Sequence, residues 1–191
     1  MPEKKYSIIY ADPPWRYNFS KDSADAIENK YPTMPLEEIK ALRIPATENA
    51  ALFLWATAPK LEEALEVIRA WGFTYKTNAV WDKKRIGMGY WFRGRHEHLL
   101  VATRGKFSPP QREQLIDSVF GYRRGEHSRK PQPIRDLIKQ WYPSMKRLEM
   151  FARKGSDLFS EEDYAGWDVW GNEVEGAVNP MSITTTKSAC I

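Results

Sequence analysis

The apolar positions of this chain fall into short blocks whose spacing switches between two periods. Tyr6-Ser7-Ile8-Ile9-Tyr10 is a brief run rich in β-branched and aromatic residues, and it predicts a buried strand. Residues 16–34 are polar with little periodicity and predict a long loop of the lid or binding-loop kind. Pro35 to Leu42 combines a proline near a helix start, early acids and apolar residues about three apart, which predicts a short helix. Ala51 to Ala56 is wholly apolar, as a strand covered on both faces would be. Leu61 to Trp71 places Leu61, Ala64, Leu65, Ile68 and Trp71 on one helical face, and Gly72 ends it. Phe73 to Trp81 returns as a strand. Lys83 to Arg95 is a second loop, basic and glycine-containing.

Further strands are expected at His98–Thr103, Ile116–Phe120 and Arg147–Ala152, with loop at Phe107–Gln114. Pro131 to Trp141 reads as a helix with Ile134, Leu137, Ile138 and Trp141 inward. Trp167 to Glu173 closes the folded part, residues 1–176, and the Ser/Thr-rich 177–191 is expected to be a flexible tail. Strands alternating with helices give an α/β fold, one domain with a largely parallel sheet and helices on both faces. In such sheets ligands lie beyond the carboxyl ends of the strands. Asp12, Thr57, the 83–96 loop and Arg153 all fall there.

Composition narrows the classes. With 191 residues, eight Trp and 13% aromatics, the chain has enough apolar mass for a real core. No apolar run reaches membrane-span length, and the start of the chain does not read as a secretory leader. The single cysteine, Cys190, offers neither a disulfide nor a thiolate metal site, which fits a reducing cytoplasm. Net charge is +4, but residues 83–154 hold eighteen Lys and Arg against six Asp and Glu, leaving −8 for the remainder. A basic middle of this kind suits a polyanion.

Asp12-Pro13-Pro14-Trp15 carries the chemistry. The prolines fix φ, bias the residues before them to extended conformations and remove two donors, so a carboxylate and carbonyls are left as acceptors. Beside an indole, such a corner suits an exocyclic amino group on a flat ring. In the basic loop, Tyr90 and Trp91 stand among Lys83, Lys84, Arg85, Arg93 and Arg95, where cations meet phosphates and rings stack on bases. His96, Glu97 and His98 are adjacent on a strand and alternate between faces, so no metal site is expected of them. His127, beside Arg124 and Arg129, reads as a surface group, and Trp55, Trp71 and Trp81 read as core.

Eight landmarks run in one order: Tyr10-Ala11-Asp12-Pro13-Pro14-Trp15, Tyr31-Pro32-Thr33-Met34, Leu52 to Trp55, Trp71-Gly72-Phe73, His96 to Val101, Ser128 to Pro131, Leu148 to Arg153, and Trp167 to Glu173. Together they resemble the adenine-N6 methyltransferases that carry Asp-Pro-Pro-Trp, among them the catalytic subunit of the eukaryotic messenger-RNA adenosine methyltransferase. The resemblance implies a Rossmann-like methyltransferase fold in permuted order, the catalytic motif N-terminal, with S-adenosylmethionine as methyl donor. By resemblance, Asp12, Pro13 and Pro14 hold the adenine amino group, Trp15 stacks on the base, and Tyr31 approaches the target adenosine. Cofactor contacts are implied for Ala11, Asp12, His96, Ser128, Lys130, Phe151, Arg153, Asn172 and Glu173. His96 stands where relatives carry lysine, and Lys154-Gly155-Ser156-Asp157 where the eukaryotic subunit has His-Asn. The expected substrate is adenine in nucleic acid, DNA before RNA, with RNA or a silent nucleic-acid-binding subunit as alternatives. A homodimer or a partner subunit stays open; metal and membrane are not expected.

Overall fold

The computed structural model describes residues 4–17, 32–87, 89, 91–123, 129–152 and 164–171. The strands are β1 (Tyr6–Ala11), β2 (Ala46–Thr57), β3 (Thr74–Asp82), β4 (His96–Arg104), β5 (Val119–Gly121), β6 (Arg147–Met150) and β7 (Asp168–Trp170). The helices are α1 (Leu36–Ala41), α2 (Leu61–Ala70) and α3 (Gln132–Trp141). One seven-stranded sheet has the order β5-β3-β4-β2-β1-β6-β7. Every pairing is parallel except the two made by β4, which runs against both β2 and β3. The largely parallel sheet expected from the alternating pattern is therefore present.

Both faces are covered, as the continuous apolar run of β2 requires. Leu52, Leu54 and Ala56 pack with Ile9 and Ala11 of β1 toward Ile39 of α1 and Ala64, Val67 and Ile68 of α2. The alternate positions Phe53 and Trp55 pack with Ile8 and Tyr10 toward Ile134 and Ile138 of α3. Trp55, Trp71 and Trp81 are all buried, as expected.

Several boundaries move, each for a local reason. β2 begins five residues earlier than its apolar run because Ala46 already pairs with Tyr6. β5 begins three residues late: Leu115 and Ile116 stay exposed and join no strand. β6 stops at Met150 because Phe151 has φ +64°, a left-handed conformation that breaks the ladder. In α3 the side buried deepest includes Arg135, whereas Leu137 and Trp141 are only partly covered.

The carboxyl ends of β1, β2, β3, β5 and β6 lie on one edge of the sheet. Because β4 is antiparallel, its first residues join that edge: Thr57 pairs with Glu97 and Asp82 with His96. Among the described residues no helix is long and apolar enough to cross a membrane.

Candidate active site at the carboxyl edge of the sheet

Asp12 follows β1 in phase with Ile8 and Tyr10, which puts it on the α3 side. Lys130 lies just ahead of α3. Its Nζ reaches Asp12 Oδ2 at 2.7 Å and Glu97 Oε2 at 3.3 Å, while its side chain is only 13% exposed. Lys83 Nζ bonds the other oxygen of Glu97 at 3.3 Å. The ammonium of Lys130 also sits 5.7 Å from the centroid of the Trp55 ring. Four charges thus alternate along the edge in the order Asp12, Lys130, Glu97, Lys83. Burial alone would lower the pKa of Lys130, but Asp12 and Glu97 outweigh it and hold the ammonium well above its ordinary value. Burial alone would raise Glu97, but Lys130 and Lys83 outweigh it and hold the carboxyl below its usual range.

The Asp-Pro-Pro-Trp turn crosses this edge to the opposite face. Trp15 N–H donates to the Pro13 carbonyl at 2.8 Å, a three-residue turn, and Met34 N–H donates to the Pro14 carbonyl at 2.8 Å. Each carbonyl keeps a second lone pair for a guest. Trp15 itself is 5% exposed, packs in the α1/α2 core and donates Nε1–H to the Trp55 carbonyl at 3.1 Å. The expectation that its face stacks on a base is corrected: the indole is a buried buttress that ties the motif to β2. Trp15→Phe is expected to destabilise the fold by about 1–2 kcal/mol through that lost bond and the smaller ring, read as a lower melting temperature. Thr57 is engaged as well, bonded to the Tyr17 hydroxyl at 2.6 Å.

The basic loop is an extension of the β3–β4 hairpin. Lys83 N–H bonds Arg95 O at 3.0 Å and Gly87 N–H bonds Gly94 O at 2.8 Å. Trp91 and Phe92 lie 94% and 89% exposed. Arg95 grips Asp82 with Nε at 2.7 Å and Nη2 at 2.8 Å, and Lys84 adds a further contact at 2.9 Å. These bonds hold the Asp82 carboxyl far below its usual range. Arg95, expected to bind substrate, instead staples the neck of the arm, and Lys83 turns inward to Glu97. Arg93 remains on the exposed surface of the arm with Trp91.

His96, expected at the cofactor, is exposed and lies on the face of β4 opposite Glu97. Its ring meets His98 edge-on at 5.1 Å, and His98 in turn contacts Asn78. Burial, then the neighbouring His96, lowers the pKa of His98. Among the described residues no cluster suited to a metal ion occurs. Ala11 is buried, and Phe151 meets Trp170 at 5.2 Å between centroids beside the Asp12 edge. Tyr31, Tyr90, Ser128, Arg153, Asn172 and Glu173 lie outside the described residues, as do Arg124, His127, Lys154 to Asp157, most of the 16–34 loop and the 177–191 tail.

Sequence reasoning paired Asp12 with Lys130 in one site but missed Glu97. The signal was available: Glu97 is in phase with Leu99 and Val101, which point into the α3-side core. An acid in phase with inward apolar residues needs a buried cation.

The MT-A70 family profile matches residues 6–173. The type II methyltransferase M.MunI of Mycoplasma sp is 33% identical over 194 residues, covering 91% of this chain and 80% of that protein. A putative N(6)-adenosine-methyltransferase MT-A70-like protein of Medicago truncatula is 30% identical over 90% of this chain and 27% of its own length. The human N(6)-adenosine-methyltransferase catalytic subunit METTL3 is 28% identical over 90% of this chain and 29% of its own length.

Proposed function

Because this chain belongs to the MT-A70 family, we propose that it transfers a methyl group from S-adenosylmethionine to N6 of adenine in nucleic acid, and to DNA before RNA. At the level of class, adenine-N6 methylation of nucleic acid is its activity. The observation that carries the reading is Asp12, a carboxylate at the end of a buried parallel strand, held by a cation 118 residues away in sequence. The preference for DNA is supported by identity, 33% to a type II methyltransferase against 30% and 28% to the N(6)-adenosine-methyltransferases. The cytoplasmic setting expected from the lone cysteine agrees with such a substrate.

The donor set fits S-adenosylmethionine. A part-buried carboxylate–ammonium pair suits a zwitterionic amino-acid end, and the Phe151–Trp170 ring pair suits a flat base. Among the described residues Asp12, Lys130 and Phe151 would hold it, and Ser128, Arg153, Asn172 and Glu173 complete the proposed set. When bound, it supplies a methyl group already activated by a sulfonium.

The chain's own residues do the positioning. Adenine's amine is a poor nucleophile because its lone pair is delocalised into the ring. Asp12 and a proline carbonyl accept its two N–H groups, draw the lone pair out of conjugation and aim it. Lys130 keeps Asp12 oriented, and the Trp15 bond to Trp55 keeps the turn rigid. A base within a duplex must first flip out. Trp91, Arg93 and the neighbouring Tyr90 form the proposed polymer contact, with Arg95 fixing the arm.

Radiolabelled methyl transfer to single- and double-stranded DNA and RNA, followed by nucleoside mass spectrometry, tests the reading. N6-methyladenine in DNA is the expected product. Label confined to RNA selects the RNA alternative, and no methylated adenine overturns the activity. A second expectation concerns the arm: Trp91→Ala should leave stability within about 0.5 kcal/mol of wild type, because the ring is exposed. It should weaken nucleic-acid binding by about 1–3 kcal/mol through lost stacking, measured by anisotropy. An unchanged Kd would move the contact surface elsewhere.

A further inference from the structure

We propose that Glu97, through Lys130, is a positioning residue that sets the charge of the catalytic corner, and that Lys83 is its counterweight. The proposal rests on the methyltransferase reading above and adds the residues that tune it.

Glu97 touches neither Asp12 nor any proposed substrate group directly. It binds Lys130 on one oxygen and Lys83 on the other, both at 3.3 Å, while Lys130 alone reaches Asp12 at 2.7 Å. Its side chain is 12% exposed, so water screens these charges poorly. Asp12, Lys130, Glu97 and Lys83 sum to no net charge. In the transfer, the bond from N6 to the methyl carbon forms as the methyl–sulfur bond breaks. The electron pair of the broken bond stays on sulfur, the positive charge passes to N6, and N6 then loses one proton to water. A corner carrying an extra positive charge opposes that passage. A neutral or slightly negative corner does not.

Glu97 also gives Lys130 a second anchor. The ammonium can shift its weight from Asp12 toward Glu97 as the adenine N–H groups arrive, which opens acceptor capacity on the catalytic carboxylate. Without Glu97 the ammonium has only Asp12 and competes with the substrate for it. Lys83 is the first residue of the substrate arm, so the charge chain joins the arm to the catalytic carboxylate through partly buried side chains and the buried Glu97.

The test is a charge-balance series on the full chain, with steady-state kinetics on an adenine-containing duplex and calorimetric binding of the methyl donor. Glu97→Gln, nearly isosteric, should lower kcat by roughly tenfold to hundredfold with a much smaller change in KM for the nucleic acid. Donor binding should shift by less than kcat does. Lys83→Met should lower kcat less than Glu97→Gln. Glu97→Gln combined with Lys83→Met restores neutrality and should recover part of the lost kcat, whereas a merely structural role would make the two losses add. Glu97→Asp keeps the charge and should stay closer to wild type than Glu97→Gln. Should Glu97→Gln fail to fold, Glu97→Asp carries the decision: with the charge retained it should keep kcat within about tenfold of wild type, and a larger kcat loss overturns the inference. Wild-type turnover with a Glu97→Gln kcat within about threefold of it overturns this inference alone, as does a double variant no better than Glu97→Gln. An inactive wild type overturns the methyltransferase reading and this inference with it.

Discussion

Asp12→Asn should reduce methyl transfer by about 10³-fold or more, a transition-state loss of roughly 4 kcal/mol, while the protein still folds. The substitution preserves shape and removes charge. Lys130 keeps its contact with Glu97 at 3.3 Å, so the buried ammonium is not abandoned. What changes is the corner itself. The amide oxygen turns toward the Lys130 ammonium, since the amide N–H groups cannot face it. Those N–H groups then point where the adenine amine must donate, so donor meets donor. The nitrogen lone pair stays in the ring, and the corner carries the extra positive charge that methyl transfer opposes. Single-turnover labelling, with melting and donor calorimetry on the same sample, separates a chemical defect from a folding defect. Turnover within tenfold of wild type would remove Asp12 from the reaction.

Much of the frame was legible because local pattern and burial agree in the sheet. Ile8 to Ala11 and Ala51 to Ala56 are apolar on both faces, and only a central strand covered by helices uses such a run. The placement of Asp12 followed from that, as did its neighbourhood with Thr57 and the 83–96 loop. The direction of β4 was not legible, because an apolar run has no polarity in sequence; only the thirteen residues between β3 and β4, closing back on themselves through Lys83 and Arg95, betray a hairpin. Trp15 illustrates a different gap. Its residue type fits stacking and burial equally well, and the turn through Pro13 decides between them by carrying the indole across the sheet edge. Charges were the hardest to read. Lys83 and Arg95 look like surface cations in a basic loop, yet each answers an acid, Glu97 and Asp82, that closes the neck of that loop. Arg135 is not legible as a buried residue of α3, because an arginine between apolar positions is usually exposed and the pairing of the strand that carries its partner Glu149 is not written in the local pattern.

That buried pair gives the largest expected effect on stability. Arg135 is 4% exposed, and its Nη1 reaches Glu149 Oε2 at 2.6 Å. Its Nη2 bonds Gln132, and the guanidinium lies 5.0 Å from the Tyr164 ring centroid. Glu149 sits on β6 opposite Tyr10, whose hydroxyl is buried with no hydrogen-bond partner among the described residues. Arg135→Met keeps most of the apolar stem and leaves a buried carboxylate alone. The expected loss is about 3–5 kcal/mol at neutral pH, or roughly 6–20 °C in melting temperature. The pH dependence gives the cause away. Burial lifts the pKa of Glu149 above its ordinary value even though Arg135 pulls it down. With Arg135 removed the largest opposing influence is gone and the lift grows, so folded Glu149 takes up a proton at a higher pH than unfolded Glu149. The folded state then binds more protons between those two values, and acidification stabilises it relative to the unfolded chain. The gap between variant and wild type should therefore be widest near pH 8 and narrow as pH falls through the raised pKa toward about 4.3, where the unfolded carboxyl also protonates. Combining Arg135→Met with Glu149→Leu should recover most of the loss at every pH, since neither charge is then buried unpaired. Melting curves for the three proteins across that range decide the matter: a gap that stays constant with pH, or a double variant as unstable as the single, would mean that lost packing rather than an orphaned carboxylate sets the cost.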